Sequence, residues 1–298
     1  MTEDADNATP GPTTIAIRTP EQIDALREAG ALAADILQRL RRRAQPGAAT
    51  GELDDAARDA MVERGAEPLF LNYRQGGARP FPAVTCISIN EEVVHGIPGD
   101  RQLLEGDLVS IDVGLRLNGW CADTATSFVA GGDDAAPDAA ALILATRRVL
   151  GLAIDMIRPG RLWSEIGDAM EAMCRETEFG IVTEYVGHGI GHALHEAPKA
   201  PAYRTGFSGA DFELAAGQVI AVEPMLTIPA RKPGPSRTAV GEDGLPAWRT
   251  RVRLLADGWT VATADGGPAC HEEHTIAVTD DGCEVLTART LEIAAGMG

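Results

Sequence analysis

The chain contains no Cys-x-x-Cys pair, and its five cysteines, Cys86, Cys121, Cys174, Cys270 and Cys283, are odd in number and scattered. A disulfide framework and a cysteine-rich structural zinc site are therefore excluded. No stretch is long and apolar enough to span a bilayer. The first residues, MTEDADNATPGPTT, lack the basic start and apolar run of a signal peptide. These absences point to a reducing, cytoplasmic compartment. Basic charge is also scarce: 26 Lys plus Arg against 44 Asp plus Glu leave a formal charge of −18. That balance excludes general nucleic-acid or anionic-membrane binding, which needs a basic face. The HEXXH motif of helix-borne zinc peptidases is missing as well; the chain has HALHE instead.

What is present is a 298-residue chain with 45% apolar residues, enough for one substantial core or two small ones. Residues 1–13 read as a disordered acidic tail without a zinc-finger or PxxP docking module, and residues 14–298 as one folded domain. IAIRT reads as a short strand. Thr19-Pro20-Glu21-Gln22 then starts a helix, with Thr as N-cap, Pro at the first helical position and Gln22 completing a capping box. Ile23, Leu26, Ala29, Ala33, Ile36, Leu37 and Leu40 follow at helical spacing, and Pro46-Gly47 ends the run. Thr50 is expected to cap a second helix carrying Leu53, Ala56, Ala57, Ala60 and Met61, which Gly65 closes. A strand-rich stretch over about 83–130, a helical one over about 137–178 and a second strand-rich stretch follow. Alternating blocks of this kind predict an α+β fold with helices on one face of an antiparallel sheet.

The chain also repeats itself. LEGDLVSIDVGL at 104–115 resembles AAGQVIAVEPML at 215–226, which aligns Gly106 with Gly217 and Asp112 with Glu223. Pro46-Gly47 resembles Pro159-Gly160, and His95-x-x-Pro98 resembles His195-x-x-Pro198. Two copies are too few for a solenoid. They predict two similar halves, each placing an acid at the same point of an equivalent strand.

Those acids carry the chemistry. Alternation sets Val109, Ile111 and Val113 on one face of their strand and Asp112 on the other, with Ser110 and Gly114. Asn118-Gly119 is a hairpin signal, so Asp112 and Asp123 are expected to face each other across a hairpin. Glu223 follows an apolar run and precedes Pro224, which favours an extended backbone. Glu273 lies at the mouth of another strand, in HEEHTIAV. His188 lies in GHGIGH, whose glycines argue against reading His188, His192 and His195 as a single-helix zinc site. Four carboxylates meeting in one place would repel one another. Two divalent cations balance their charge, and a neutral imidazole completes the set. Two-metal sites hold their ions ~3.5–4 Å apart. Carboxylates with imidazole suit Mn, Fe, Co or Zn without choosing among them.

In order and joint occurrence, CISINEEVVHGIP, GDLVSIDVGLRLNGWCADT, EYVGHGIGHALHEAP, VIAVEPM, DGWTVAT and EEHTIAVTD resemble the type I methionine aminopeptidases, peptidases of the pita-bread fold. The resemblance covers nearly the whole chain. It implies co-translational removal of the initiator methionine from proteins and peptides with a small second residue, by a hydroxide held between two metals. It implies Asp112, Asp123, His188, Glu223 and Glu273 as metal ligands. Asp123 and Glu273 would be the bridging pair, and Glu273 rather than Glu272 the ligand. His95 and His195 would contact the substrate, and Glu223 would pass a proton to the leaving amine. Tyr73, Phe81, Cys86 and Trp259 would wall the methionine pocket, with Leu194 and Phe70 beside them. The expected partners are nascent polypeptide N-termini, met during transient contact with the ribosome, and the expected state is a monomer.

Three features depart from the family pattern. His192 stands close to the expected site, as a potential stray hydrogen bond or weak ligand. RQGGARPFP before Cys86 is longer than expected. An insertion over about 228–252, rich in Pro, Gly and charge, reads as a surface loop. The competing readings are an Xaa-Pro aminopeptidase or dipeptidase of the same fold, and a peptide-binding relative without activity.

Overall fold

The first long helix begins where its caps dictate. The structure is a computed structural model that describes residues 14–74, 79–205, 211–230, 246 and 248–289. In it α1 (Pro20–Arg43) opens on a complete capping box: Thr19 Oγ1 accepts from Gln22 N at 3.4 Å, and Gln22 Oε1 accepts from Thr19 N at 3.1 Å. Arg41, Arg42 and Arg43 sit in its last turn, where they complement the negative end of the helix dipole. Residues 15–19, expected as a strand, are irregular. They are held by one backbone bond, Arg18 N to Gly217 O at 2.7 Å, and by the Arg18 side chain, which pairs with Glu196 and lies 5.4 Å from the Trp120 ring. The second helix, α2 (Thr50–Glu63), places Thr50 inside the helix rather than at its cap. The Thr50 hydroxyl is taken by Gly99, accepting from its N at 2.9 Å and donating to its O at 3.1 Å. Glu52 accepts from Ala49 N in its place.

Both helices lie against one four-stranded sheet, in which β1 (Cys86–Ile89), β2 (Leu108–Leu117) and β3 (Trp120–Val129) are joined by a two-residue edge strand, Glu67–Pro68, paired with β2. Val109, Ile111 and Val113 of β2 are wholly buried against Ala33, Leu37 and Leu53 of the helices, so the predicted apolar face is the core face. β2 and β3 join through Asn118 (φ 51°) and Gly119 (φ 85°), a two-residue turn with both residues left-handed. Leu117 opposite Trp120 fixes the register, which places Asp112 opposite Ala125 and Asp123 opposite Gly114. The two aspartates therefore do not face each other directly. They are diagonal neighbours on one face, close enough for their side chains to interact.

The second half repeats the first. Helices α3 (Pro137–Met156) and α4 (Trp163–Arg175) pack on a sheet that contains β4 (Gly187–Gly189), β5 (Glu196–Ala200) and β6 (Val219–Val222). Gly47 N donates to Leu103 O at 2.7 Å, and Gly160 N to Leu214 O at 2.8 Å. Thr50 N donates to Arg101 O, and Trp163 N to Phe212 O, each at 2.9 Å. Gly106 (φ 88°) and Gly217 (φ 89°) each precede the start of the equivalent strand, β2 or β6. The repeat read from the sequence is thus a repeat of backbone architecture: a helix pair outside, and a strand carrying an acid inside.

Two further strands, β7 (Ala269–His271) and β8 (His274–Val278), bring the halves together, with β8 paired to β6. At the seam Glu273 N donates to Ala125 O at 2.9 Å, and Thr275 Oγ1 accepts from Asp123 N at 3.1 Å while donating to Asp123 O at 2.8 Å. All five cysteines are free thiols, four of them buried. Among the described residues no helix is long and apolar enough to cross a membrane. The acidic tail 1–13, residues 75–78 of RQGGARPFP and most of the expected insertion (231–245 and 247) lie outside the described residues.

Candidate metal centre and substrate cavity

The inner strands end at a cavity of about 340 Å³. Asp112, Asp123, His188, Glu223 and Glu273, drawn from both halves, all line it. Asp123, His188 and Glu273 each offer one ligand atom within 4.8 Å of the other two. Asp112 joins them from β2. Glu223 enters just past β6, its Oε1 3.8 Å from His188 Nε2.

The backbone around His188 explains its glycines. A Cβ at Gly187 would stand 2.4 Å from Ala221 O, and one at Gly189 would stand 2.1 Å from Ala197 O. Only glycine lets β4 lie this close to its neighbours. The same segment fixes the imidazole. His188 Nδ1 is 3.0 Å from Gly189 O. A carbonyl only accepts, so Nδ1 carries the proton and Nε2 keeps its lone pair for a cation.

The charges demand a cation. Burial, and then the neighbouring Asp123, push Asp112 well above the ordinary carboxylate range. Burial, with Asp123, Glu223 and Asp112 nearby, does the same to Glu273, and burial raises Asp123. Glu223 is also buried, but His271, His188 and His195 outweigh that burial and lower it. Asp112 Oδ1 and Asp123 Oδ1 are buried with no hydrogen-bond partner. A buried acceptor without a donor is costly, and a divalent ion supplies what is missing. The donor set, hard carboxylates with one imidazole lone pair, fits a divalent transition ion.

Beside the acids lies an aromatic chamber. Phe81 meets Trp259 edge-on at 5.4 Å between ring centres, and Tyr73 is 6.4 Å from Trp259. Trp259 is fixed by its Nε1, which donates to Arg79 O at 2.7 Å, and by Asp257, which accepts from Trp259 N and Thr260 N at 2.8 Å each. Phe70, Cys86 and Leu194 line the same space. Burial raises the Cys86 thiol well above its usual pKa, so it is an apolar wall and not a nucleophile. His95 and His195 stand between chamber and acids. Burial lowers each to about 4, with His188 adding to the effect on His195, so both are neutral at physiological pH. Tyr73 Oη is 3.0 Å from His195 Nδ1.

Two residues beside the expected site, His192 and Glu272, lie outside the cavity. His192 does not line the cavity. Its ring lies on Trp120 with centroids 3.8 Å apart, and its Nδ1 meets Gly119 O at 2.9 Å. GHGIGH is a strand followed by a turn, so the three histidines share no helix face. His192→Ala is expected to leave kcat/KM within about twofold, as for a surface change away from the chemistry; steady-state kinetics checks it. Glu272 points away from the cavity. It is fully buried and accepts from Arg147 Nε at 2.9 Å and Arg289 Nη1 at 3.2 Å, with Thr126 and Ser127 also donating. Removing one partner of a buried ion pair strands the other charge. Glu272→Leu is therefore expected to cost about 3–5 kcal/mol of stability, read from denaturant midpoints, and Glu272→Gln less.

Among the cavity residues with no role assigned from sequence, His271 stands nearest the acids. His271 is 3% exposed, with Nε2 3.3 Å from Glu223 Oε2. The signal was present in HEEH. Period-two alternation puts residues 271 and 273 on one side and 272 and 274 on the other. Accordingly Glu272 meets its arginines, and His274 Nδ1 lies 2.9 Å from Thr287 Oγ1.

This architecture is shared. The model of metallopeptidase family M24 matches residues 24–280. Methionine aminopeptidase 1 of Bacillus subtilis is 37% identical over 92% of this chain and 99% of its own length. The methionine aminopeptidase of Escherichia coli K12 is 38% identical over 92% of this chain and 94% of its own. The crystal structure of methionine aminopeptidase from Rickettsia prowazekii superposes with a TM-score of 0.80 at 33% identity, covering 92% of this chain and all of that one. The prolidase from Pyrococcus furiosus shares the fold, with a TM-score of 0.64 at 19% identity over 91% of this chain and 65% of that one. A family match across most of the length, on a chain whose buried acids and imidazole call for divalent cations, leads to one assignment: the chain belongs to metallopeptidase family M24.

Proposed function

We propose that the chain is a methionyl aminopeptidase, removing the initiator methionine from proteins and peptides with a small second residue. The observation that carries this reading is the junction of an acid-lined cation site with an aromatic chamber in one cavity. Asp112, Asp123, His188, Glu223 and Glu273 would hold two divalent cations (Co, Mn, Fe or Zn). The formal charges support two: +4 against four carboxylates. When bound, the cations supply the positive charge that activates water and polarises the scissile carbonyl.

The chain's own groups do the rest. Tyr73, Phe81, Cys86 and Trp259 enclose the methionine side chain, whose sulfur suits aromatic edges. His95 and His195, both neutral, hold the scissile amide and stabilise its oxygen as charge develops. The Tyr73 contact occupies His195 Nδ1 and leaves Nε2 for the substrate. Glu223 takes a proton from the attacking water and delivers it to the leaving amine.

Turnover on Met-Ala-Ser across a metal series tests the reading. Efficient release of Met is expected, with little cleavage of proline-adjacent bonds. The reverse pattern would favour an Xaa-Pro peptidase. Failure to bind Mn, Co, Fe or Zn in calorimetry would favour a peptide-binding protein without activity. The proposal extends to a cytoplasmic monomer that meets nascent chains in transient contact with the ribosome, where new N-termini emerge. Sedimentation analysis and ribosome co-pelleting test those two points.

A further inference from the structure

One buried nitrogen in the cavity has no task in the scheme above. His271 Nε2 is buried and makes no aligned hydrogen bond. It lies 3.3 Å from Glu223 Oε2 and 3.9 Å from Glu273 Oε2. A buried polar nitrogen without a partner is costly unless it is used when the site is filled.

The backbone holds His271 firmly in place. Its N–H donates to Ser127 Oγ at 3.1 Å, and its carbonyl accepts from the same hydroxyl at 2.8 Å. It pairs with Met225 across antiparallel strands, which keeps it beside Glu223. Glu223 therefore stands between two imidazoles, with Oε1 facing His188 Nε2 and Oε2 facing His271 Nε2. The two rings play different parts. His188 Nε2 carries a lone pair, because Nδ1 is committed to Gly189 O. It cannot donate to Oε1, and a cation between them satisfies both. His271 has no such constraint and can present Nε2–H to Oε2. It also lies outside the trio of Asp123, His188 and Glu273, whose ligand atoms converge. Of the two carboxylates it reaches, Glu223 Oε2 is the nearer, at a distance that suits a donor to that oxygen.

We propose that His271 is a positioning residue: its Nε2–H donates to Glu223 Oε2 and holds that carboxylate with Oε1 turned toward the cation site. A carboxylate that touches a cation and also relays a proton must not rotate into a two-oxygen grip on the metal. A donor on its far oxygen prevents that rotation. Outer contacts of this kind are worth about 10–100-fold in activity or metal affinity. The inference rests on the reading of Glu223 as ligand and proton relay.

The test uses zinc-loaded whole protein with selectively ¹⁵N-labelled histidine, and assigns the His271 signals with His271→Gln. The expected result is an Nε2–H tautomer at His271. A deprotonated, metal-shifted Nε2 would make it a ligand and overturn the proposal. This readout needs no variant to be active. In kinetics, His271→Gln, whose amide N–H can replace the donor, is expected to stay within about threefold of the parent kcat. His271→Leu is expected to lose about 10–100-fold in kcat with KM little changed and zinc stoichiometry intact by calorimetry. An unchanged kcat in His271→Leu, or loss of a zinc equivalent, would overturn it. Glu223→Gln run in parallel separates the two claims. If it is inactive while His271→Leu is normal, only the present inference falls; if it is itself normal, the role of Glu223 falls first.

Discussion

Glu223→Gln folds normally, keeps its aromatic chamber and loses turnover by about 10²–10⁴-fold, the range of a positioned acid–base group. The variant changes almost nothing in shape. Glu223 follows β6, and the strand pairing around it runs through backbone groups of His188, Ala221 and His274, none of which the substitution touches. What changes is chemistry. The amide cannot accept and return a proton, and one of the four negative charges is gone. Glu223 is suited to its task by environment: burial pushes it up, but the adjacent His271 leads the groups that bring it below the ordinary carboxylate value. A Michaelis constant near that of the parent, with kcat nearly abolished, is the expected signature of an interaction made in the transition state. Near-normal kcat would refute the proton-relay role. Circular dichroism and a melting curve control for folding.

Removing the cations is the second large perturbation. Chelation is expected to abolish turnover on Met-Ala-Ser, and re-addition of Mn, Co, Fe or Zn to restore it. It should also destabilise the fold at neutral pH. Without a cation, Asp112 and Glu273 are held well above their ordinary values of 3.8 and 4.5, first by burial and then by their acidic neighbours. The sign follows from the protons bound. A carboxylate whose folded pKa is raised binds more protons in the folded state, so stability falls as pH climbs from the unfolded pKa through the folded one. The metal-free protein therefore loses stability between mildly acidic and neutral pH. A bound cation offsets that loss. At one hundred times its dissociation constant a cation adds about 2.7 kcal/mol, or roughly 5–10 °C in Tm for a chain of this size. The gap between loaded and chelated protein should be narrow near about pH 5 and wide near about pH 7.5, where protons no longer compete for the carboxylates. Scanning calorimetry at both pH values checks this. A constant gap would mean that the acids are not the cation site.

Chemistry in this cavity depends on two half-domains presenting acids to one another. Neither half alone contains the site: Asp112 and Asp123 belong to the first hairpin, and His188 and Glu223 to the second sheet. Glu273 arrives on the connection that seams them, one residue after the buried ion pair of Glu272 with Arg289. Arg289 also donates to Glu273 O at 2.9 Å and to Ala125 O. The clamp that stabilises the seam thus adjoins the residue that must be placed accurately, and Glu272→Leu is expected to disturb both stability and cation affinity.

Much of this was determined by sequence alone, because the physics was local. Thr19, Pro20 and Gln22 set the start of α1 through hydrogen bonds within one turn. Asn118-Gly119 set the hairpin register, since only a two-residue left-handed turn fits there; counted outward, that turn already puts Asp112 opposite Ala125 rather than Asp123. The glycines before β2 and β6, with the acids after them, displayed the two halves as a repeated spacing. The order of the motifs pointed to the family. Other features were decided only by the tertiary structure. Residues 15–19 alternate like a strand but join no sheet among the described residues; the Arg18 side chain and its backbone bond to Gly217 anchor them instead. His192 has the spacing of a ligand, yet Trp120 and the Gly119 carbonyl, contributed by the first hairpin, draw it out of the cavity. Glu272 and Glu273 are the same residue type in adjacent positions. Which becomes a structural counter-ion and which faces the cations depends on Arg147 and Arg289, brought in from α3 and the C-terminal segment. His271 gained its place beside Glu223 by pairing across strands far apart in the chain. Local periodicity tells which side of a strand a residue faces; the charges and donors waiting on that side come from distant segments, and only folding brings them there.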